Sequence, residues 1–273
     1  MEEKKIKREE ITPGFVIGGA AFLYIVGSIL TSLIAMIIGS YLKDGAGAES
    51  GPAIFSILSA VLISPPVYSL IKRGGLWKFR GFNGRTVAFF VVIALCLFHL
   101  YQTFIMQLME LFSLDVLQES VADYQALRRG GNIPMGIMGI AVAPAILEEL
   151  LFRGAFYGAL RVKKGVLFSA CLSSLVFALL HGLGIYTLVV FLSGMILCAV
   201  YEATGTLFAP MLVHFGNNLL SIIEEAGGAS QEAILSDSMP LNIVLVVVSG
   251  LCTASFCIFF VLKVFRALPK KDF

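Results

Sequence analysis

Seven polar side chains interrupt long apolar stretches of this sequence, and their types suit acid–base chemistry. Three lie in one stretch, one ends the next and three lie in another: Glu148, Glu149 and Arg153, then His181, then His214, Asn217 and Asn218. An ionisable residue at the centre of a membrane costs about 2.5–3.5 kcal/mol to insert. Residues that are this costly are usually functional, so these seven are candidates for an intramembrane site.

The spacing within each stretch indicates which of these side chains lie together. Glu149 and Arg153 are four residues apart with the acid on the N-terminal side, which favours an ion pair on one helix face. Glu148 is turned by about 100° from Glu149 around the helix and is the freer carboxylate. His214 and Asn218 are also four residues apart and project from one face.

A buried carboxylate, two imidazoles and an amide predict a hydrolytic site. Glu148 would take a proton from water as general base, and His181 would orient that water. His214 and Asn218 would donate hydrogen bonds to the oxyanion that forms when a peptide carbonyl is attacked. The sequence leaves a second arrangement open, in which Glu148, His181 and His214 hold zinc with an open water position.

The helices that carry these residues must place them at a common depth. Counted from the loops on one side at 1.5 Å per residue, Glu148 lies about 20 Å deep and His181 about 24 Å deep. His214 and Asn218 lie about 14 and 20 Å deep on the same scale. The side chains are therefore expected to converge in one slab near the middle of the membrane.

The composition predicts that these helices belong to a polytopic membrane protein. Of 273 residues, 58% are apolar and 14% are charged, whereas soluble domains have about 25% charged residues. Long apolar stretches occur at residues 15–42, 52–71, 86–109, 134–160, 165–181, 184–203, 205–223 and 241–265. We expect an all-α bundle of about eight transmembrane helices. It would form one membrane domain over residues 1–273, with the motif-bearing catalytic core at 134–223.

Two further patterns concern the membrane surfaces. Apolar residues recur every three or four positions from Leu111 to Leu127, which predicts an amphipathic helix on the outer surface. With eight spans, 17 Lys and Arg residues fall on the side that holds both termini and 3 on the other, so both termini are expected in the cytoplasm. Glu202, close to that cytoplasmic surface, is expected to be solvated.

Charge and cysteine usage exclude two other kinds of site. The net charge is +2 and the basic residues are scattered among loops, unlike the concentrated basic face that binds nucleic acid. All five cysteines lie inside apolar stretches without a C-x-x-C pair, so a cysteine metal site is not expected.

Three short motifs, in this order, resemble those of the CPBP intramembrane proteases. Residues 148–153 fit E-E-x-x-x-R, residues 177–181 fit F-x-x-x-H and residues 214–218 fit H-x-x-x-N. This family comprises the CAAX prenyl endopeptidases that process Ras and bacterial homologues in bacteriocin processing or immunity. The resemblance implies that water is activated by Glu148 and His181, and it assigns the oxyanion to His214 and Asn218. The supporting residues would be Glu149, Arg153 and Phe177.

The resemblance also implies the kind of substrate, although two other functions stay open. An endopeptidase of this family would cut a membrane-associated peptide or lipopeptide, surrounded by membrane lipids. The same Glu and His residues could instead relay protons or metal ions in a transporter. Transporters often have paired repeats, whereas here the ionisable residues lie only in the second half. A non-catalytic scaffold or immunity protein is the third alternative.

Overall fold

The computed structural model of the chain describes residues 11–41, 51–76, 83–111, 133–226 and 239–267. Within these ranges every regular element is helical. In chain order the helices are α1 (Pro13–Tyr41), α2 (Gly51–Arg73), α3 (Gly84–Leu111), α4 (Ile133–Arg161), α5 (Val166–Leu179), α6 (Ile185–Thr204), α7 (Phe208–Ala226) and α8 (Met239–Ala267).

The predicted polytopic helical bundle is confirmed, since each of the eight apolar stretches forms a helix. Six helices of the described part are long and apolar enough to cross a membrane. The two shorter apolar helices are α5 and the Phe208–Ile223 part of α7, which fall below the roughly 20 residues of a full span. The predicted amphipathic helix lies outside the described residues, apart from its first residue, Leu111, which ends α3.

Helix α4 departs from a uniform α-helix in two places, on either side of the two predicted site carboxylates. It changes to π-helix at Ile137–Val142, returns to α-helix at Ala143–Glu149 and is again π-helical at Leu150–Tyr157. Such π segments are frequent at functional sites because they redirect side chains relative to the regular helix. The uninterrupted span predicted over 134–160 is therefore a helix of mixed winding.

Close backbone contacts fix the helices around α4 and α5. A Cβ added at Gly139 of α4 would lie 2.5 Å from the Cα of Ala53 in α2, so no larger residue fits there. A Cβ added at Gly194 of α6 would lie 2.7 Å from the Cβ of Ser174 in α5. Small residues commonly allow membrane helices to pack this closely.

Candidate active site

The side chains predicted to carry catalysis line one cavity of about 280 Å³. Glu148 comes from α4, His181 from the turn after α5, and His214 and Asn218 from α7. Phe177, predicted to support them, lines the same cavity. Residues that are far apart in the sequence thus meet at one cavity, which agrees with the predicted convergence of these side chains.

The carboxylate of Glu148 faces both imidazole rings. Its Oε2 lies 3.8 Å from Nε2 of His181 and 3.8 Å from Nε2 of His214. These distances exceed the range of a direct hydrogen bond. The same oxygen is buried and has no hydrogen-bond partner among the described residues. A water molecule in the adjoining cavity would satisfy it, because buried polar atoms of this kind usually bind ordered water.

Each imidazole ring is oriented by a hydrogen bond on its other nitrogen. Nδ1 of His181 lies 2.8 Å from the carbonyl oxygen of Phe177, and Nδ1 of His214 lies 2.9 Å from Oε1 of Glu149. Carbonyl and carboxylate oxygens only accept, so Nδ1 is the donor in both rings. Nε2 is therefore directed at Glu148, as an acceptor in a neutral ring and as a donor in a protonated one.

The predicted ion pair between Glu149 and Arg153 is present and fully buried. Nη1 of Arg153 donates to Oε1 of Glu149 over 2.9 Å, and both side chains have 0% exposure. Nη2 of Arg153 donates to the carbonyl oxygen of Gly194 over 3.1 Å. Spacing alone did not reveal that the same Glu149 oxygen also accepts from His214. The ion pair therefore holds one of the two imidazoles.

Phe177 packs at the centre of these groups. Its ring centroid lies 4.4 Å from that of His181 and 6.3 Å from that of His214. The guanidinium carbon of Arg153 lies 4.7 Å from the same ring, which is within the range of a cation–π contact. The ring thus contacts the buried cation and both imidazoles.

Asn218 is fixed by a backbone carbonyl in the irregular part of α4, that of Ile140. This residue lies in the first π segment, shortly before Pro144, which has no N–H to continue the helix hydrogen bonds. Nδ2 of Asn218 donates to the Ile140 oxygen over 2.9 Å. The amide of Asn218 therefore joins α7 to the irregular part of α4 at the cavity wall.

Two more amides extend the polar wall of the cavity, and sequence reasoning gave them no role. Nε2 of Gln102 donates to Oδ1 of Asn217 over 3.3 Å, and Nδ2 of Asn217 donates to Oδ1 of Asn218 over 3.5 Å. The presence of Gln102 within the apolar helix α3 was the available signal. It was missed because Gln102 was not considered together with His99, which lies three residues earlier on the same helix.

Glu202 corrects an expectation, since it is buried instead of solvated. Its Oε1 accepts hydrogen bonds from the hydroxyl of Tyr157 over 2.6 Å and from Nε of Arg161 over 2.8 Å. The residue lies near the end of α6, where it fastens that helix to the end of α4. Burial was not foreseen because its partners are more than 40 residues away.

The zinc alternative receives no support from the geometry. The described part of the chain contains no group of three or more His, Cys, Asp or Glu side chains arranged to hold a metal ion. Among the three predicted ligands, Oε2 of Glu148 lies 3.8 Å from Nε2 of His181 and 3.8 Å from Nε2 of His214.

Comparisons with known proteins match the segment that carries the motifs. Residues 130–220 match the family described as type II CAAX prenyl endopeptidase Rce1-like. The chain is also similar to "Putative membrane peptidase YdiL" of Bacillus subtilis (strain 168), with 28% identity over 91 residues. These cover 33% of this chain and 37% of that relative, so the match spans little more than a third of its length. No solved structure matches the chain.

The matched residues contain all three motifs, and the resemblance to the CPBP proteases is confirmed. The matched segment is thus similar to type II CAAX prenyl endopeptidases and to a relative named as a membrane peptidase. The family and the apolar helices together support an integral, multi-pass membrane protein.

Proposed function

We propose that this protein is an intramembrane endopeptidase that hydrolyses a peptide bond with water activated by Glu148. One observation carries the proposal: a buried carboxylate oxygen without a hydrogen-bond partner faces two oriented imidazole nitrogens beside a cavity. Buried polar atoms are rarely left in this state unless they serve a function. The similarity to a family of prenyl endopeptidases supports the choice of a peptide as substrate.

In the proposed reaction, Glu148 accepts a proton as a water O–H bond breaks, and the water oxygen forms a bond to the peptide carbonyl carbon. Nε2 of neutral His181 accepts the other water proton in a hydrogen bond and so orients the oxygen. The tetrahedral intermediate collapses as its C–N bond breaks. The proton held by Glu148 passes to the leaving amine, which returns the carboxylate to its starting state.

The charge that develops on the carbonyl oxygen needs hydrogen-bond donors that are already in place. In the proposal, Nε2 of protonated His214 is one donor and the amide of Asn218 is the other. Glu149 supports this role because it accepts from Nδ1 of His214 and so fixes the ring. Arg153 donates to the same oxygen of Glu149 and so holds this carboxylate in place.

The cavity also indicates the size and polarity of the substrate segment. Its volume of about 280 Å³ is close to the lower limit of roughly 300 Å³ for small-molecule pockets. Apolar side chains from α3 and α6, including Phe98, Val189 and Leu197, line it together with the amides of Gln102 and Asn217. We infer that it holds a short, mainly apolar stretch of a membrane-associated peptide or lipopeptide.

We also propose that both termini of the protein lie in the cytoplasm. The excess of 17 Lys and Arg residues over 3 on the opposite side supports this orientation, because cytoplasmic loops retain most of the basic residues.

The test of the proposed function is cleavage by the purified protein in liposomes that contain a library of hydrophobic peptides, with new termini identified by mass spectrometry. Glu148→Ala should abolish cleavage while the thermal unfolding curve stays unchanged. A matched control is Ser249→Ala, which alters a partly buried polar contact of α8 with Gln107, away from the cavity. Retained turnover in the Glu148 variant would eliminate this carboxylate as the base.

Treatment with a chelator in the same cleavage assay tests whether the reaction requires zinc. Turnover through Glu148-activated water should persist after exhaustive treatment with a zinc chelator. Loss of cleavage on chelation, with recovery on adding zinc, would instead support zinc held by Glu148, His181 and His214.

A further inference from the structure

We propose that the cavity receives its substrate from the extracytoplasmic side of the membrane, opposite the basic helix ends. The substrate would then be a peptide segment that is exposed outside the cytoplasm, and a lipid group added in the cytoplasm would not be required. The inference rests on the proposed function for its substrate and on helix positions for the direction of access.

Helices α2, α3, α4 and α5 have Lys or Arg at or next to one end, and each lines the cavity with residues away from that end. The lining residues lie at the start of α2, in the second half of α3, from the first turns to the middle of α4, at and after the end of α5, from the second turn to just past the middle of α6 and beyond the first turn of α7. They include Pro52, Gln102, Gly139, Glu148, His181, Val189, Ser193 and Asn218. The cavity therefore lies in one half of the bundle.

The basic residues of the described chain mark the opposite half. Apart from the buried Arg153 of the site, they are Lys72 and Arg73 at the end of α2, Arg85 near the start of α3, Arg161 at the end of α4, Lys163 and Lys164 in the turn that follows, and Lys263 and Arg266 at the end of α8. At the helix ends near the cavity, the described residues 51–56, 105–111, 133–138, 180–188, 221–226 and 239–244 contain no Lys or Arg. The positive-inside rule thus assigns the cavity half to the outside.

The short helix α5 shows how water can reach the site from that side. Its 14 residues extend about 21 Å, less than the hydrocarbon thickness of roughly 30 Å. It begins next to Lys164, so the turn that carries His181 lies below the opposite membrane surface. Non-helical backbone at this depth is tolerated only where protein or a water-filled cavity adjoins it.

The turn itself has the properties of a cavity mouth. Gly182 and Gly184 have φ angles of 113° and 143°, which L side chains rarely adopt, and they allow the chain to reverse between α5 and α6. The side chain of His181 is 32% exposed, and Leu183 is 86% exposed. The catalytic imidazole is therefore reached past an open turn and away from the basic loops.

Site-directed thiol labelling tests the direction of access in the full chain. Three single variants are compared with the unmodified protein, whose five native cysteines give the background: Leu183→Cys at the turn, Val189→Cys inside the cavity and Lys163→Cys at the basic end. Intact cells and inverted membrane vesicles are each treated with a membrane-impermeant maleimide.

In intact cells we expect labelling of the Leu183 and Val189 variants at least tenfold above background. The Lys163 variant should be labelled only in inverted vesicles. The opposite pattern would overturn the proposal, because the cavity would then open to the cytoplasm. A Val189 variant that is labelled from neither side would also overturn it, since the cavity would be closed to both aqueous compartments.

This design distinguishes a failure of the proposed direction of access from a failure of the proposed function. Repeating the labelling with Glu148→Ala in the background gives the direction of access without turnover. If the labelling pattern is as expected and no peptide is cleaved in liposomes, the proposed function is wrong and the direction of access stands. Cleavage together with labelling from the cytoplasmic side would contradict only the present inference.

Discussion

Helix α4 takes part in two buried carboxylate clusters that differ in how fully their oxygens are satisfied. Oε1 of Glu202 accepts from Tyr157 and Arg161 over 2.6 and 2.8 Å, beside a cavity of about 30 Å³. Oε2 of Glu148 lies 3.8 Å from its two imidazole neighbours, beside a cavity of about 280 Å³. A carboxylate with short bonds and little space fastens helices, whereas one with long contacts and an adjacent cavity can bind and activate water.

The sharpest test of this comparison removes one negative charge from each cluster without changing side-chain shape. Glu148→Gln should lower kcat by about 10³-fold, because the general base is lost. Glu202→Gln should leave kcat unchanged and lower the thermal unfolding temperature instead. Both quantities are measured on the purified variants in the liposome assay. Equal losses of kcat in the two variants would show that the clusters do not differ in role.

The second prediction concerns the ion pair that holds His214. Arg153→Met leaves the carboxylate of Glu149 buried without its cation, which should destabilise the protein by about 3–5 kcal/mol. Adding Glu149→Gln should restore most of that stability, because neither position of the former ion pair then holds a buried charge. Activity should stay low in the double variant, since a neutral amide no longer anchors the ring in the same way. Stability is followed by denaturant unfolding, and a fully active double variant would contradict this role.

The third prediction separates two neighbouring amides of the cavity wall. Asn218→Ala should lower kcat by about 10²-fold, the effect of losing one oxyanion donor. Asn217→Ala should act mainly on KM, because its amide lines the cavity and bonds to Gln102. Steady-state kinetics on a single cleaved peptide distinguishes the two outcomes. The assignment fails if the two variants show the same division between kcat and KM.

The smallest expected effect lies in the cluster away from the site. Tyr157→Phe removes one hydrogen bond to the carboxylate of Glu202 and should cost about 1.5–3 kcal/mol of unfolding free energy. Peptide cleavage should proceed at the rate of the unmodified protein. A marked loss of kcat without a loss of stability would place Tyr157 in the catalytic apparatus.

Local spacing predicted the parts of the site that depend on a single helix. The four-residue interval between Glu149 and Arg153 gave their ion pair, which the structure contains. Apolar length predicted the helices, and the count from their ends led us to expect that Glu148, His181 and His214 meet, as they do at one cavity. These predictions succeed because helix geometry fixes rise and rotation for each residue.

Spacing and apolar length within one helix do not predict the contacts between different helices. The burial of Glu202 depends on partners in α4, and the role of Gln102 depends on Asn217 in α7. Nothing in the flanking residues of either side chain indicates which helix will lie beside it. The π segments of α4 were also not predicted, because a one-residue change in hydrogen-bond register has little effect on the apolar pattern.

Pro144 gives the arrangement of α4 and α7 a consequence that extends beyond local helix distortion. Any other residue at this position would bring an amide hydrogen into this irregular stretch, whose carbonyls include that of Ile140. The imino acid thus leaves one backbone donor fewer beside the oxygen on which the amide of another helix rests.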